Sequence, residues 1–333
     1  MSLCHTTRKQ RLVYAAFALL LALGAFDKTH AAAASAAVSA DTPANAPAPA
    51  PNRFAATLAP AERFEVGGVL VERHGAAAGR PLILIPGLAS GSWVWQDTIR
   101  AFAANHPIYV LTLPGFDGRP AAGAAPFAAA RAAVEQLIAE RSLPKPVIVG
   151  HSLGGTLGYA VAEDRPAALG GVVSIDGLPV MPGTETMAPA QRSAMAAGMR
   201  GRVATDPAAF ARQQQGYMRT IGVLDMGKAD ALAQLSARSD PASTGQYAAD
   251  VLNLDLRPGL KDIGAPLLVI SPYHELDASQ QGISESAKAD YYKALLEGAP
   301  RVQVVSVAPA RHFAMIDQPE KVNDAIRSFL ASL

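Results

Sequence analysis

The chain has 333 residues, half of them apolar, enough for one large domain or two small ones with a sizeable core. Its formal net charge is +1, so it carries no basic footprint for nucleic acid. The single cysteine, Cys4, precedes the first apolar run, so a chain trimmed behind that run has no thiol for a disulfide or a Cys-based metal site.

Arg8, Lys9 and Arg11 form a basic start, and Leu12 to Phe26 is a continuous apolar run. That run is shorter than the roughly 20 residues a membrane span needs. Small residues follow, with Thr29-His30-Ala31 as one cleavage site among several. The pattern predicts a secretory signal over residues 1–31 and a periplasmic or secreted mature protein. The alternative is an uncleaved N-terminal anchor, and either form of the signal is the only membrane contact expected. Residues 32–60 are Ala, Pro and Ser with few large apolar side chains, and Pro43, Pro47, Pro49 and Pro51 exclude a long helix. They predict a disordered or extended linker, with one domain over residues 61–333.

Within that domain, Phe64 to Arg73 reads as a hairpin or bulged strand around Gly67-Gly68. Pro81 to Ile85 is apolar throughout, as in a strand buried on both faces of a parallel sheet. Pro86-Gly87-Leu88 follows it, and a helix starting near Ser92 carries Trp93, Trp95, Ile99 and Phe102. Ile108 to Leu113 is the next strand, and Pro126 to Arg141 the next helix, with Val134, Leu137 and Ile138 at helical spacing. Val147 to Val149 then runs into Gly150-His151-Ser152-Leu153-Gly154, a G-x-S-x-G sequence, and an Ala-rich helix over Leu153 to Glu163. In such an elbow a serine sits on a strained turn between strand and helix. The flanking glycines are expected because a side chain there would collide with the turn.

Gly171 to Ile175 predicts another strand, with Asp176 at its C-terminal end. Residues 178–262 interrupt the alternation with helical segments. Strands return at Pro266 to Ser271 and Val302 to Val307, with a helix at Glu285 to Leu296 between them. Pro319 to Leu333 closes the chain as an amphipathic helix, with Val322, Ile326, Phe329, Leu330 and Leu333 on one face. Strands alternating with helices imply an α/β fold, a mostly parallel central sheet with helices on both faces. Sites in such sheets form at the C-terminal strand ends. Pro86-Gly87-Leu88, Ser152, Asp176, the loop after Ser271 and His312 all belong there.

A serine hydroxyl is a poor nucleophile and needs a neighbouring base. His312, in the loop after the last strand, is the best placed. His5 and His30 fall in or beside the signal, His74 and His106 at the wrong strand ends or in surface turns, and His274 is a weaker rival after Ser271. Met181, Met187, Met195, Met199, Met218 and Met226 cluster in the helical interruption. They suit either an adaptable apolar pocket or ordinary packing of short helices.

Ile85-Pro86-Gly87-Leu88, Leu113-Pro114-Gly115-Phe116-Asp117-Gly118, Gly150-His151-Ser152-Leu153-Gly154-Gly155 and Arg311-His312-Phe313 make the chain resemble the α/β-hydrolase superfamily over roughly residues 64–333. By this resemblance residues 178–262 are an inserted helical cap, and His151 is the variable residue of the elbow. The resemblance implies an oxyanion hole from the backbone amides of Leu88 and Leu153, with Pro86 replacing the histidine common there. Many members place the acid after the strand that corresponds to Pro266–Ser271, in a pattern ending Gly-x-x-Asp. Here that loop reads Ser271-Pro272-Tyr273-His274-Glu275, with Pro272 in place of glycine and Glu275 at the acid position. Others place the acid at the end of the preceding strand, where Asp176 lies. Asp176 is preferred because a strand end holds a carboxylate more rigidly than a long polar loop does. The implied function is a serine hydrolase acting on a carboxylic ester, with a small-molecule acyl substrate and neither cofactor nor metal. Acyltransfer and amide or lactone hydrolysis use the same residues. A dehalogenase would need Asp at position 152. A binding protein on this fold would be expected to lose the nucleophile or the base, and this chain keeps both.

Overall fold

The computed structural model describes residues 52–279 and 282–333. The signal expected over residues 1–31, Cys4 and most of the expected linker lie outside the described residues. The eight strands are β1 (Glu62–Val66), β2 (Val69–Gly75), β3 (Leu82–Ile85), β4 (Pro107–Thr112), β5 (Val147–His151), β6 (Gly171–Ile175), β7 (Leu267–Pro272) and β8 (Val302–Val307). They form one sheet in the order β1-β2-β4-β3-β5-β6-β7-β8. β1 pairs antiparallel with β2, and β2 with β4, while every later pair is parallel. The β1–β2 hairpin turns at Gly67 and Gly68, both at positive φ, which glycine adopts without penalty.

Eleven helices accompany the strands among the described residues. α1 (Gln96–Phe102) follows a 3-10 turn at Ser92–Trp95, then α2 (Pro126–Glu140) and α3 (Leu153–Asp164). Between β6 and β7 come α4 (Pro189–Arg200), α5 (Pro207–Tyr217), α6 (Met226–Ser236) and α7 (Pro241–Asn253). After β7 come α8 (Glu275–Ser279), α9 (Glu285–Leu295), α10 (Ala314–Asp317) and α11 (Pro319–Ala331).

Strand side chains alternate between the two faces, and here both faces are apolar. Ile83, Ile85, Ile148, Val172, Leu267 and Val269 pack with α2, α3 and α9. Leu82, Leu84, Val147, Val149, Val173, Leu268 and Ile270 pack with α1 and α11. In α11 the apolar stripe read from sequence does bury Val322, Ile326 and Phe329.

Helices α4 to α7 lie between β6 and β7, in the segment expected to be a cap. Asp206, Asp225 and Asp240 cap α5, α6 and α7, accepting from Ala209 N, Lys228 N and Ser243 N at 2.8, 2.8 and 2.7 Å. Such caps are each worth about 1 kcal/mol. Prolines at the first turn of α5 and α7 fit the same starts. α4 lies on α7 through Ala196, Met199, Ala248, Ala249 and Leu252. A π-helical turn at Met218–Gly222 extends α5 toward the sheet.

Residues 52–60, within the expected linker, make contacts with the helices. Asn52 donates to Ala231 O at 2.6 Å, Phe54 is buried, and Leu58 N donates to Gln96 Oε1 at 2.6 Å. The Pro- and Ala-rich composition hid this, because the segment is pinned by Phe54 and two side-chain amides rather than by a periodic pattern.

Candidate active site

β5 and β6 are parallel neighbours, with Gly150 opposite Ser174 and His151 opposite Ile175. One step further, Ser152 and Asp176 leave the sheet side by side. Their backbones stay tied to the ladder: Ser152 N donates to Ile175 O at 2.9 Å and Asp176 N to Ile270 O at 3.0 Å. Both have positive φ, +52° at Ser152 and +53° at Asp176. Such a conformation costs a non-glycine residue energy and is held here by the surrounding structure.

The elbow has no room for side chains beside Ser152. A Cβ at Gly150 would lie 2.2 Å from Gly154 C, and one at Gly154 would lie 2.2 Å from Ile85 O. Ser152 precedes the first turn of α3, so the Leu153 amide is among the helix amides that lack an intrahelical acceptor. The Pro86-Gly87-Leu88 loop lies against the same turn, since a Cβ at Gly87 would be 3.2 Å from Ser152 Cβ. Neither the Leu88 nor the Leu153 amide donates to another described residue. Leu153 lines the cavity above Ser152, whereas the half-buried Leu88 side chain packs against the cluster of Ala196, Met199, Ala248, Ala249 and Leu252.

His312 reaches the site from the loop after β8, and its Nδ1 lies 2.6 Å from Asp176 Oδ2. The loop is held from several sides. His312 N donates to Ile221 O at 3.1 Å and Phe313 N to Gly222 O at 2.9 Å, both on the π-helical turn of the cap. Ala310 N donates to Tyr273 O at 2.8 Å. The Arg311 guanidinium forks onto Asp277 at 2.7 and 2.9 Å and also reaches Val223 O at 3.2 Å.

His151 is fully buried between the rings of His312 and Phe313, at 4.6 and 4.5 Å between centroids. Its Nε2 lies 3.0 Å from the His312 carbonyl, which can only accept, so Nε2 carries the proton. Burial, then the neighbouring His312, holds the His151 imidazole well below its ordinary pKa. It is therefore a neutral donor that fixes the His312 backbone.

Burial alone would raise the Asp176 carboxyl. The Lys288 ammonium, the His312 contact and a hydrogen bond from Tyr292 OH together outweigh it and hold the group well below the usual carboxylate range. Glu275 is not brought to the site. It is exposed at the start of α8 and lies outside the cavity wall. The loop after β7 coils into that short helix, which turns Asp277 inward toward Arg311 and His274 and leaves Glu275 outward. His274 also lines the cavity, with its Nδ1 3.0 Å from Asp277 Oδ2.

Ser152, Leu153, Asp176 and His312 line one cavity of about 260 Å³ between sheet and cap. Much of its wall is apolar, from Leu178, Val180, Ile221, Val251 and Ile283. Of the six cap methionines only Met181 lines it; Met199 and Met218 are buried in helix packing and Met226 is exposed. Helix packing thus accounts for Met199 and Met218. Sequence reasoning missed Tyr292, Lys288, Asp277 and Arg311. The one available signal was the four-residue spacing of Lys288 and Tyr292, which sets both on one face of α9. Among the described residues no group of three or more His, Cys, Asp or Glu could hold a metal ion.

A family model described as the alpha/beta hydrolase family matches residues 82–325. RutD of Variovorax paradoxus (strain S110), a protein named for carbamate hydrolysis, is 33% identical over 108 residues, 32% of this chain and 41% of that protein. The pimeloyl-[acyl-carrier protein] methyl ester esterase of Aeromonas hydrophila is 30% identical over 112 residues, 33% of this chain and 42% of the esterase. The chain thus spans less than half the length of either relative. A thermophilic esterase from Thermogutta terrifontis, solved with malate bound, superposes with a TM-score of 0.64 at 20% identity, covering 82% of this chain and 99% of that one. At that identity the superposition shows the fold alone.

Proposed function

Because the chain belongs to the alpha/beta hydrolase family, we propose that it is a serine hydrolase acting on a small carboxylic ester through an acyl-enzyme. The observation that carries the reading is the pairing of His312 Nδ1 with the buried Asp176 at 2.6 Å in a cavity shared with Ser152. In this reading Asp176 accepts from Nδ1–H, so Nε2 is the basic nitrogen. Ser152 Oγ attacks the ester carbonyl carbon as Nε2 takes its proton. The carbonyl electrons move to oxygen, and the oxyanion accepts from the amides of Leu88 and Leu153. Collapse breaks the ester C–O bond, and Nε2 returns the proton to the departing alcohol. Water then attacks the acyl-enzyme by the same steps and releases the acid and free Ser152.

The cavity, at about 260 Å³, falls just below the roughly 300–1,000 Å³ usual for ligand sites, which favours a short acyl or alcohol group. Its apolar lining favours an uncharged chain there. The test is turnover of p-nitrophenyl esters of increasing acyl length by the wild type and Ser152→Ala. The reading expects a preference for short chains and loss of turnover in the variant with the fold retained. Undiminished turnover in Ser152→Ala would remove Ser152 as nucleophile. The basic start and the short apolar run favour export. N-terminal sequencing of protein recovered outside the cytoplasm is expected to begin at about residue 31–40, and a mature chain starting at Met1 or Ser2 contradicts export.

A further inference from the structure

We propose that Tyr292 and Lys288 are positioning residues for Asp176, the hydroxyl occupying Oδ1 and the Lys288 side chain standing at the same cavity wall while Oδ2 serves His312. This rests on the reading of His312 as base and goes beyond it, because the pair acts through Asp176 and touches neither reacting atom.

The Asp176 carboxylate is buried, and each of its oxygens has one named partner. Oδ2 faces His312 Nδ1 at 2.6 Å, and Oδ1 accepts from Tyr292 OH. A carboxylate whose two oxygens are claimed by different donors cannot rotate to swap them. The Tyr292 ring is nearly buried in the core cluster that covers one face of the sheet, so its hydroxyl is fixed by packing. Burial, then the Asp176 charge, pushes that hydroxyl well above its ordinary pKa, so it stays protonated as a donor.

Lys288 lies one helical turn earlier on α9. Its Nζ donates to Pro272 O at 2.5 Å and sits 5.4 Å from the Tyr292 ring centroid. It has no carboxylate within ion-pair distance among the described residues, yet it is the strongest charge favouring ionised Asp176. The other titratable groups around the pair come from every neighbouring element. Tyr217 approaches from the end of α5 and His151 from β5, while Tyr159 on α3 acts on Tyr292 and Asp277 on α8 acts on Lys288. His151 is held neutral, and the tyrosines carry no charge. Burial lowers the Lys288 ammonium from its ordinary pKa, and the Asp176 and Asp277 charges oppose that shift and favour the cation.

Proton uptake at Asp176 is therefore opposed by the Lys288 charge. Removing that charge lets the proton bind at higher pH, and removing the hydroxyl makes the carboxylate more basic, with the same sign. The test measures pH profiles of kcat/KM for the full chain with p-nitrophenyl butyrate. Tyr292→Phe keeps the ring, and it should lower kcat about tenfold with KM within about twofold. Its acidic limb should move to higher pH. Lys288→Met should move the limb up by about one pH unit, and Lys288→Arg should return it toward the wild-type position. A role confined to packing would lower activity at every pH and leave the limb in place. Unmoved limbs in both Tyr292→Phe and Lys288→Met overturn the inference. So does a Lys288→Met variant whose only defect is a raised KM for a p-nitrophenyl monoester of a dicarboxylic acid, because that makes Lys288 a substrate contact. Labelling of wild-type Ser152 by a fluorophosphonate separates the two levels: absent labelling overturns the hydrolase reading itself, and labelling with unmoved limbs overturns this inference alone.

Discussion

β6 and β7 lie side by side, and the acids beyond their C-terminal ends are held in opposite ways. Asp176 follows β6 directly, is anchored by its own backbone hydrogen bond to Ile270, and is buried among His312, Tyr292 and Lys288. Asp277 stands on the short helix after β7, is about half exposed, and is paired with Arg311, with His274 Nδ1 3.0 Å away. The first carboxylate is held ionised at the cavity wall, with one oxygen turned to His312 and the other to Tyr292. The second spends its charge on an arginine and thereby fastens the loop that carries that histidine. Both acids serve His312, one by direct contact and one by holding the backbone. Burial and the identity of the partner separate the two roles, since both carboxylates lie near the same strand ends.

The largest expected effect breaks the comparison at its buried side. Asp176→Asn leaves a similar shape but no longer holds the His312 tautomer, so kcat should fall by up to about 10⁴-fold with the fold retained. A drop of less than tenfold would show that the buried acid is not the one His312 depends on. Asp277→Asn probes the exposed side. Its exposed ion pair is worth about 1 kcal/mol or less, so kcat should fall by no more than about tenfold. The wild-type pH profile should keep its shape. A loss as large as that of Asp176→Asn would merge the two roles.

A pH series of urea unfolding sharpens the comparison further. The Asp176 pKa is depressed in the folded state, so its stabilisation is present above the ordinary carboxylate value and is lost only as pH falls through the lower folded value. The neighbouring His151, also depressed, acts earlier: the unfolded chain takes up its proton below the ordinary imidazole value of about 6.5 while the folded chain does not. His74 has the same sign, again through burial. Stability should therefore decline as pH falls from about 7 to 5, and His151→Gln should flatten part of that slope. A flat wild-type profile over this range would contradict the buried neutral state. The smallest effect is expected from Glu275→Gln, less than about twofold in kcat, because only the charge of an exposed side chain is removed.

Much of this arrangement was legible before any coordinates. The apolar runs at Leu82–Ile85 and Val147–Val149 read as buried strands, and the order of G-x-S-x-G and a late histidine marked the strand ends where Ser152 and His312 lie. The preference for Asp176 over Glu275 came from rigidity, and the same property now separates a ladder-anchored residue from one on a short exposed helix. What stayed hidden depends on rotation and long-range approach. Nothing local told which face of α9 meets the end of β6, so Tyr292 and Lys288 read as ordinary helix residues. The tie between Arg311 and Asp277 joins segments whose adjacency follows from the β7–β8 pairing and not from any spacing. His151 looked like a variable elbow residue because its partner is a backbone carbonyl, which leaves no mark in sequence.

If Ser152 is a nucleophile activated by His312, it reacts with a fluorophosphonate. The full chain would be incubated with that reagent, digested, and its adduct located by mass spectrometry. A single adduct is expected on the peptide holding Ser152, formed much more slowly in His312→Asn and absent in Ser152→Ala. No adduct on the wild type, or an adduct at another residue that persists in Ser152→Ala, would contradict it.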